Sequence, residues 1–344
     1  MKKTAFLILF LIFILAGCAA ETDIAPVAGA SSKEHSGAIF AMDTYMEIKF
    51  YGDEKLLEGA EDVIYSMEAA LSVTDERSEI YAVNRDGGGE VSPETAELIT
   101  RGLELCERTG GALDISVYPV VRAWGFTTGE YRVPGDSEIN ELLGCVDYEK
   151  IAFDGETVTL SDGMMIDLGS VAKGAASSRV VEYFRENGVK SALLNLGGNV
   201  HALGAKPDGS KWRIAVKNPV GSGNLCVLEI EDKAVITSGG YERYFEEDGE
   251  TYWHIIDPAT GYPAKSGLVS VTVIGDDGLL CDALSTSLFV MGLQNAAEFW
   301  RDSDDFEAVF VTEDGGIYVT EGLEDSFRLI ESYELADYEV IRRG

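Results

Sequence analysis

The apolar and polar positions along this chain change period several times, and each change marks an element. Residues 38–51 alternate apolar and polar, the period-2 signature of a strand with one face buried. Leu56, Leu57, Ala60, Val63, Ile64, Met67 and Leu71 then recur at the spacing of one helix face. Ser92 followed by Pro93 is a cap with proline in the first turn, and the helix it opens is predicted to stop at Gly110-Gly111. Asp154-Gly155 separates two short β-like runs, a hairpin signal. Residues 164–168 read as a strand feeding a helix from about Ser170 to Asn187, with Gly188 as its stop. Further strands are predicted over 189–196, 211–217, 224–231, 233–238, 251–256 and 267–275. Helices follow over 279–291 and 295–301, and a last hairpin turns at Asp314-Gly315. Strands outnumber helices, and most neighbours look hairpin-linked. The pattern predicts an α+β fold of mixed, mostly antiparallel sheets with flanking helices.

The start of the chain reads differently. Lys2 and Lys3 precede an almost unbroken apolar run over 5–15, shorter than the about 20 residues a spanning helix needs. It closes on Leu15-Ala16-Gly17-Cys18, which resembles a bacterial lipobox with Cys18 as the lipidated residue. The expected organisation is a lipoprotein signal peptide over 1–17, a small, polar tether over 18–37 and one body over 38–344. Such a protein is exported and held by its Cys18 lipid on the outer face of the cytoplasmic membrane.

Charge narrows the function classes. With 60 Asp and Glu against 27 Lys and Arg, the net charge is -33, which repels nucleic acid phosphates and excludes that partner. An anionic small ligand would need a cation to screen it. Cys106, Cys145, Cys226 and Cys281 contain no C-x-x-C pair, and their spacing assigns no disulfide. The three histidines, His35, His201 and His254, show no metal-ligand spacing, so no zinc site is expected.

Four stretches could carry chemistry. Residues 165–176, MIDLGSVAKGAA, have the G-x-x-x-x-G spacing of a phosphate loop at Gly169 and Gly174, but Lys173 stands before the second glycine. A strand-to-helix turn explains the glycines, and the exposed amides of 169–172 with Lys173 could bind an anion. Asp282 and Thr286 are four apart and share a helix face, with Ser285 beside them, a hard-oxygen set suited to Mg²⁺. His254 ends a strand before Asp257-Pro258 and could accept a proton near neutral pH. The glycine turns at 195–199 and 237–245 follow apolar strands and allow close backbone approach. Each of these alone also fits an ordinary turn, cap or packing role.

Their order along the chain carries more. Met42-Asp-Thr, Gly111-Ala-Leu-Asp114, Trp124-Gly-Phe126, Asp167-Leu-Gly-Ser-Val-Ala-Lys-Gly174, Asn195-Leu-Gly-Gly-Asn199, Thr237-Ser-Gly239, His254-Ile-Ile-Asp-Pro-Ala-Thr-Gly261 and Asp282-Ala-Leu-Ser-Thr286 resemble the ApbE family of flavin transferases over about 38–335. The resemblance implies Mg²⁺-dependent transfer of FMN from FAD to a Thr or Ser of an acceptor flavoprotein with an FMN-binding domain, releasing AMP. It implies FAD contacts at Met42, Thr74, Ala112, Leu113, Asp114, Asp167, Lys173 and the backbone of Ile256. Ser170, through its carbonyl, Asp282, Ser285 and Thr286 would hold the metal, and His254 would help deprotonate the attacking hydroxyl. Two positions depart from the family pattern. Thr74 stands where many members carry tyrosine and hydrolytic ones can carry asparagine, and Ser285 where some have an acidic ligand. An Mg²⁺-dependent FAD pyrophosphatase and a non-catalytic FAD-binding lipoprotein are the competing readings.

Overall fold

The computed structural model describes residues 33–330 and 337–344. The expected signal peptide 1–17, Cys18 and the tether up to residue 32 lie outside the described residues. The chain opens with β1 (Glu34–Ala41), β2 (Thr44–Tyr51), α1 (Leu56–Leu71), α2 (Glu79–Asp86), β3 (Gly88–Glu90) and α3 (Pro93–Arg108). It continues through α4 (Tyr118–Ala123), α5 (Asp136–Leu143), β4 (Ala152–Phe153), β5 (Thr157–Thr159) and α6 (Gly169–Glu186). Eight strands follow: β6 (Ala192–Leu196), β7 (Asn199–Leu203), β8 (Trp212–Lys217), β9 (Asn224–Ile230), β10 (Ala234–Gly239), β11 (Tyr244–Glu247), β12 (Glu250–Trp253) and β13 (Leu268–Gly275). Then come α7 (Gly278–Arg301), β14 (Phe306–Thr312), β15 (Ile317–Thr320), β16 (Phe327–Leu329) and β17 (Glu339–Ile341).

A nine-stranded sheet in the order β1-β2-β6-β7-β10-β13-β14-β15-β17 forms the central layer. Its described pairs are antiparallel except β15 with β17. The alternation of β14 shows why both faces are covered. Phe306, Ala308 and Phe310 enter the main core with buried residues of α1, α3, α6 and α7, while Val309 and Val311 point the other way. That second face packs on a small sheet, β16-β9-β8, through Trp212, Leu228 and Phe327. A third cluster gathers around Trp124, whose Nε1 donates to the Gly261 carbonyl at 2.9 Å. The architecture is the mixed, mostly antiparallel α+β fold expected from the pattern.

Several elements differ from their sequence-based reading. The single strand over 38–51 is a hairpin that reverses at Met42 and Asp43, with φ of 49° and 58°. Two consecutive left-handed residues make the tight turn that suits strand twist, without the usual Asn or Gly to announce it. Its first strand begins at Glu34, inside the stretch read as tether. Residues 164–168 are not a strand. Ile166 N donates to Asn84 Oδ1 at 2.7 Å, Asn84 Nδ2 donates to the Ile166 carbonyl at 2.8 Å, and Asp167 N donates to the Ile115 carbonyl at 2.8 Å. Their backbone partners are a side-chain amide and a loop. The two helices over 279–301 form one path broken at Gly292, where φ is 76° and ψ is 163°. Cys106, Cys145, Cys226 and Cys281 are free thiols.

Candidate active site

The turns β1–β2 and β6–β7, the start of α6, the end of β10, the residues after β12 and one face of α7 converge on a cleft of about 1020 Å³. Met42, Thr74, Ala112, Leu113, Asp114, Asp167, Ser170, Lys173, His254, Ile256, Asp282 and Thr286 all line it. Ser285 does not line the wall. It is fully buried, and its Oγ lies 2.8 Å from that of Ser238, a residue of the wall.

Asp282 is held from α6. Its Oδ2 accepts the Gly174 N–H at 2.7 Å across the crossing of α6 and α7. That crossing explains Gly174, which is not part of a strand-to-helix turn. A Cβ there would lie 2.6 Å from the Asp282 Cβ and overlap the Gly278 carbonyl. Burial raises the Asp282 carboxyl above its usual range, while the Lys173 charge and the Gly174 amide draw it back. The Asn199 side chain also favours the charged form, although its Nδ2 completes no hydrogen bond of normal geometry. Beside this carboxylate, Ser238 Oγ stands 3.2 Å from Thr286 Oγ1, while Ser285 Oγ also donates to the Asp282 carbonyl at 2.9 Å.

Among the described residues, no three His, Cys, Asp or Glu side chains gather as a metal centre. A cation would rest on one carboxylate, neighbouring hydroxyls, a backbone carbonyl and water. Such all-oxygen donors with a single charge fit Mg²⁺, which keeps part of its water shell and takes substrate phosphates as ligands.

Lys173 sits at the electrostatic centre. Its charge opposes the burial that raises the carboxyls of Asp167, Asp282 and Glu242, and it helps lower His254. Glu242 is exposed toward the cleft, and the crowding of its walls, with Asp282 adding to it, pushes its carboxyl up to about 7. Burial, with Arg243 and Lys173 adding to it, lowers His254 to about 4, so the ring is neutral at physiological pH. His254 Nδ1 lies 3.2 Å from the Arg243 carbonyl. A carbonyl only accepts, so Nδ1 carries the hydrogen and Nε2 keeps its lone pair. Asp114 differs in character. Its Oδ1 accepts from Ser116 N at 2.8 Å and Ser116 Oγ at 2.6 Å, and its Oδ2 from Tyr148 N at 3.1 Å. With both oxygens engaged, Asp114 fixes the loop that carries Ala112 and Leu113.

An ApbE family model matches residues 42–310. The chain belongs to the ApbE family. A crystal structure of the ApbE protein from Thermotoga maritima superposes with a TM-score of 0.79 at 33% identity, over 89% of this chain and 100% of that one. The flavin transferase ApbE of Vibrio cholerae gives 0.77 at 27% identity, over 86% and 99%. The FAD:protein FMN transferase of Klebsiella pneumoniae (strain 342) is 32% identical over 89% of this chain and 98% of its own length. This ApbE chain also places in the cleft Lys217, which no motif contains, Tyr241, Glu242 and Arg243, which the sequence marks only as part of a glycine turn, and Ser238, which its motif carries without a stated role. Lys217 Nζ stands 4.9 Å from the centre of the Tyr241 ring. The adjacent charges Glu242-Arg243, directly after a glycine turn, were the available signal.

Proposed function

We propose that this chain moves FMN from FAD onto a Thr or Ser hydroxyl of an acceptor flavoprotein with an FMN-binding domain, releasing AMP in an Mg²⁺-dependent reaction. The relatives' shared activity supports the class. The observation that carries the mechanism is His254 Nδ1 lying 3.2 Å from the Arg243 carbonyl, which leaves Nε2 as the acceptor, in one cleft with Lys173 and Asp282.

The acceptor oxygen bonds to the FMN phosphorus, the pyrophosphate P–O bond to AMP breaks, and His254 Nε2 takes the hydroxyl proton. Met42, Thr74, Ala112, Leu113, Asp167 and the Ile256 backbone form walls for FAD, and Asp114 steadies the loop behind them. The Ser170 carbonyl, Asp282 and Thr286 would hold the Mg²⁺, with Ser285, buried behind the wall, steadying Ser238 beside them. Bound there, the metal would neutralise phosphate charge and stabilise the leaving group.

Incubation with FAD, Mg²⁺ and an acceptor domain, read by mass, should show one added FMN that Asp282→Ala abolishes. Labelling that survives Asp282→Ala would remove the metal assignment. Hydrolysis of FAD is the second reading, favoured by the exposed Thr74 at the cleft wall, which shields the site less than an aromatic ring. FMN and AMP released without acceptor, and no labelling with it, would select it. We also propose that the body is held outside the cytoplasmic membrane by a lipid on Cys18. Cys18→Ala should then move the protein from the membrane fraction to the soluble one.

A further inference from the structure

We infer that the buried pair Ser177 and His201 is a positioning device for Asp282, acting through Gly174. The inference rests on the metal reading proposed above.

The crossing of α6 and α7 is close enough that neither Gly174 nor Gly278 has room for a Cβ: one at Gly278 would lie 2.6 Å from both the Gly174 carbonyl oxygen and Ser177 Oγ. The Gly278 N–H donates to Ser178 Oγ at 2.9 Å, tying the start of α7 to α6. His201, on β7, is 3% exposed, and burial holds its imidazole neutral. Its Nδ1 lies 3.0 Å from Ser177 Oγ, while the Ser177 hydroxyl donates to the Gly174 carbonyl at 2.8 Å. With that hydroxyl hydrogen already spent, Ser177 Oγ accepts, and His201 Nδ1 is the donor. The amide on the other side of Gly174 donates to Asp282 Oδ2.

Both polar groups of Gly174 are thereby engaged, the carbonyl by Ser177 and the amide by Asp282. In a regular α-helix that amide bonds the carbonyl four residues back, here that of Ser170, the ligand from α6 in the metal reading. Gly174 thus stands between Asp282 and Ser170, two of the proposed ligands, and the Ser177–His201 pair fixes its place. Groups that support a ligand in this way commonly govern metal affinity tenfold or more.

Mn²⁺ binding followed by electron paramagnetic resonance, with no flavin present, tests this. Ser177→Ala should raise the Mn²⁺ Kd about tenfold, and metal-free FAD binding should stay unchanged. Ser177→Ala leaves the His201 donor without its partner, so the double variant Ser177→Ala/His201→Leu is the control. It removes both polar groups, which spares stability, and its Mn²⁺ Kd should rise as much. Unchanged Mn²⁺ affinity in the double variant overturns the inference and leaves the metal reading standing. A wild-type chain that binds no Mn²⁺ overturns the metal reading and the inference with it.

Discussion

Lys173 is the charge on which several groups of the cleft depend. Lys173→Met should weaken FAD binding about tenfold, a change of about 1.4 kcal/mol, measurable by flavin fluorescence titration. The same substitution removes a cation that lowers His254, so NMR should find its imidazole titrating higher. His201 gives a prediction of stability. Its ordinary value of 6.5 falls to about 4 in the folded chain, so between those limits the unfolded state binds more protons. The stability tied to this neutral histidine is fully present above 6.5 and is lost as pH falls through 4. Urea melts at pH 7.5 and pH 5 should differ less in His201→Leu than in the wild type. An equal difference would show that other groups dominate the acid limb.

At the scale of elements, the crossing of α6 and α7 should tolerate no added carbon. Gly174→Ala forces a Cβ onto the Gly278 backbone and should cost about 1–3 kcal/mol, seen as a lower urea midpoint with unchanged slope. Gly188, at the end of the same helix, has an open surround and a φ of 77°, so its alanine variant should cost about 1 kcal/mol through backbone alone. The β1–β2 turn works in reverse. Asp43 holds a left-handed φ of 58°, and Asp43→Gly should stabilise the hairpin by several tenths of a kcal/mol. These elements also mark what a sequence can disclose. Ser92-Pro93, Gly188 and Asp314-Gly315 were legible because a local residue type enforces each boundary. The Met42-Asp43 turn was not, because tertiary context holds two residues that rarely adopt that conformation. Residues 164–168 misled because their partners, Asn84 and Ile115, are far away in sequence. In the cleft, residues at motif spacings could be named in advance. Lys217 could not, and Glu242 and Arg243 read only as part of a glycine turn, since only the fold brings them into the cleft with Lys173.

For the whole molecule, a net charge of -33 surrounds a cleft whose wall includes Lys173, Lys217 and Arg243. Long-range repulsion should slow the approach of FAD at low salt. The screening length falls from about 30 Å at 0.01 M to about 8 Å at 0.15 M, so stopped-flow capture of FAD should quicken over that range. A slowing would show that the local cations outweigh the surrounding charge. The central sheet has a different use. Its first strand in sequence, β1, is one edge and its last, β17, is the other. Eight interstrand steps separate them, roughly 38 Å if flat and less when twisted. A fluorescent donor beside Glu34 and an acceptor beside Ile341 would thus make a ruler across the full width of the sheet, able to report its opening without any signal from flavin.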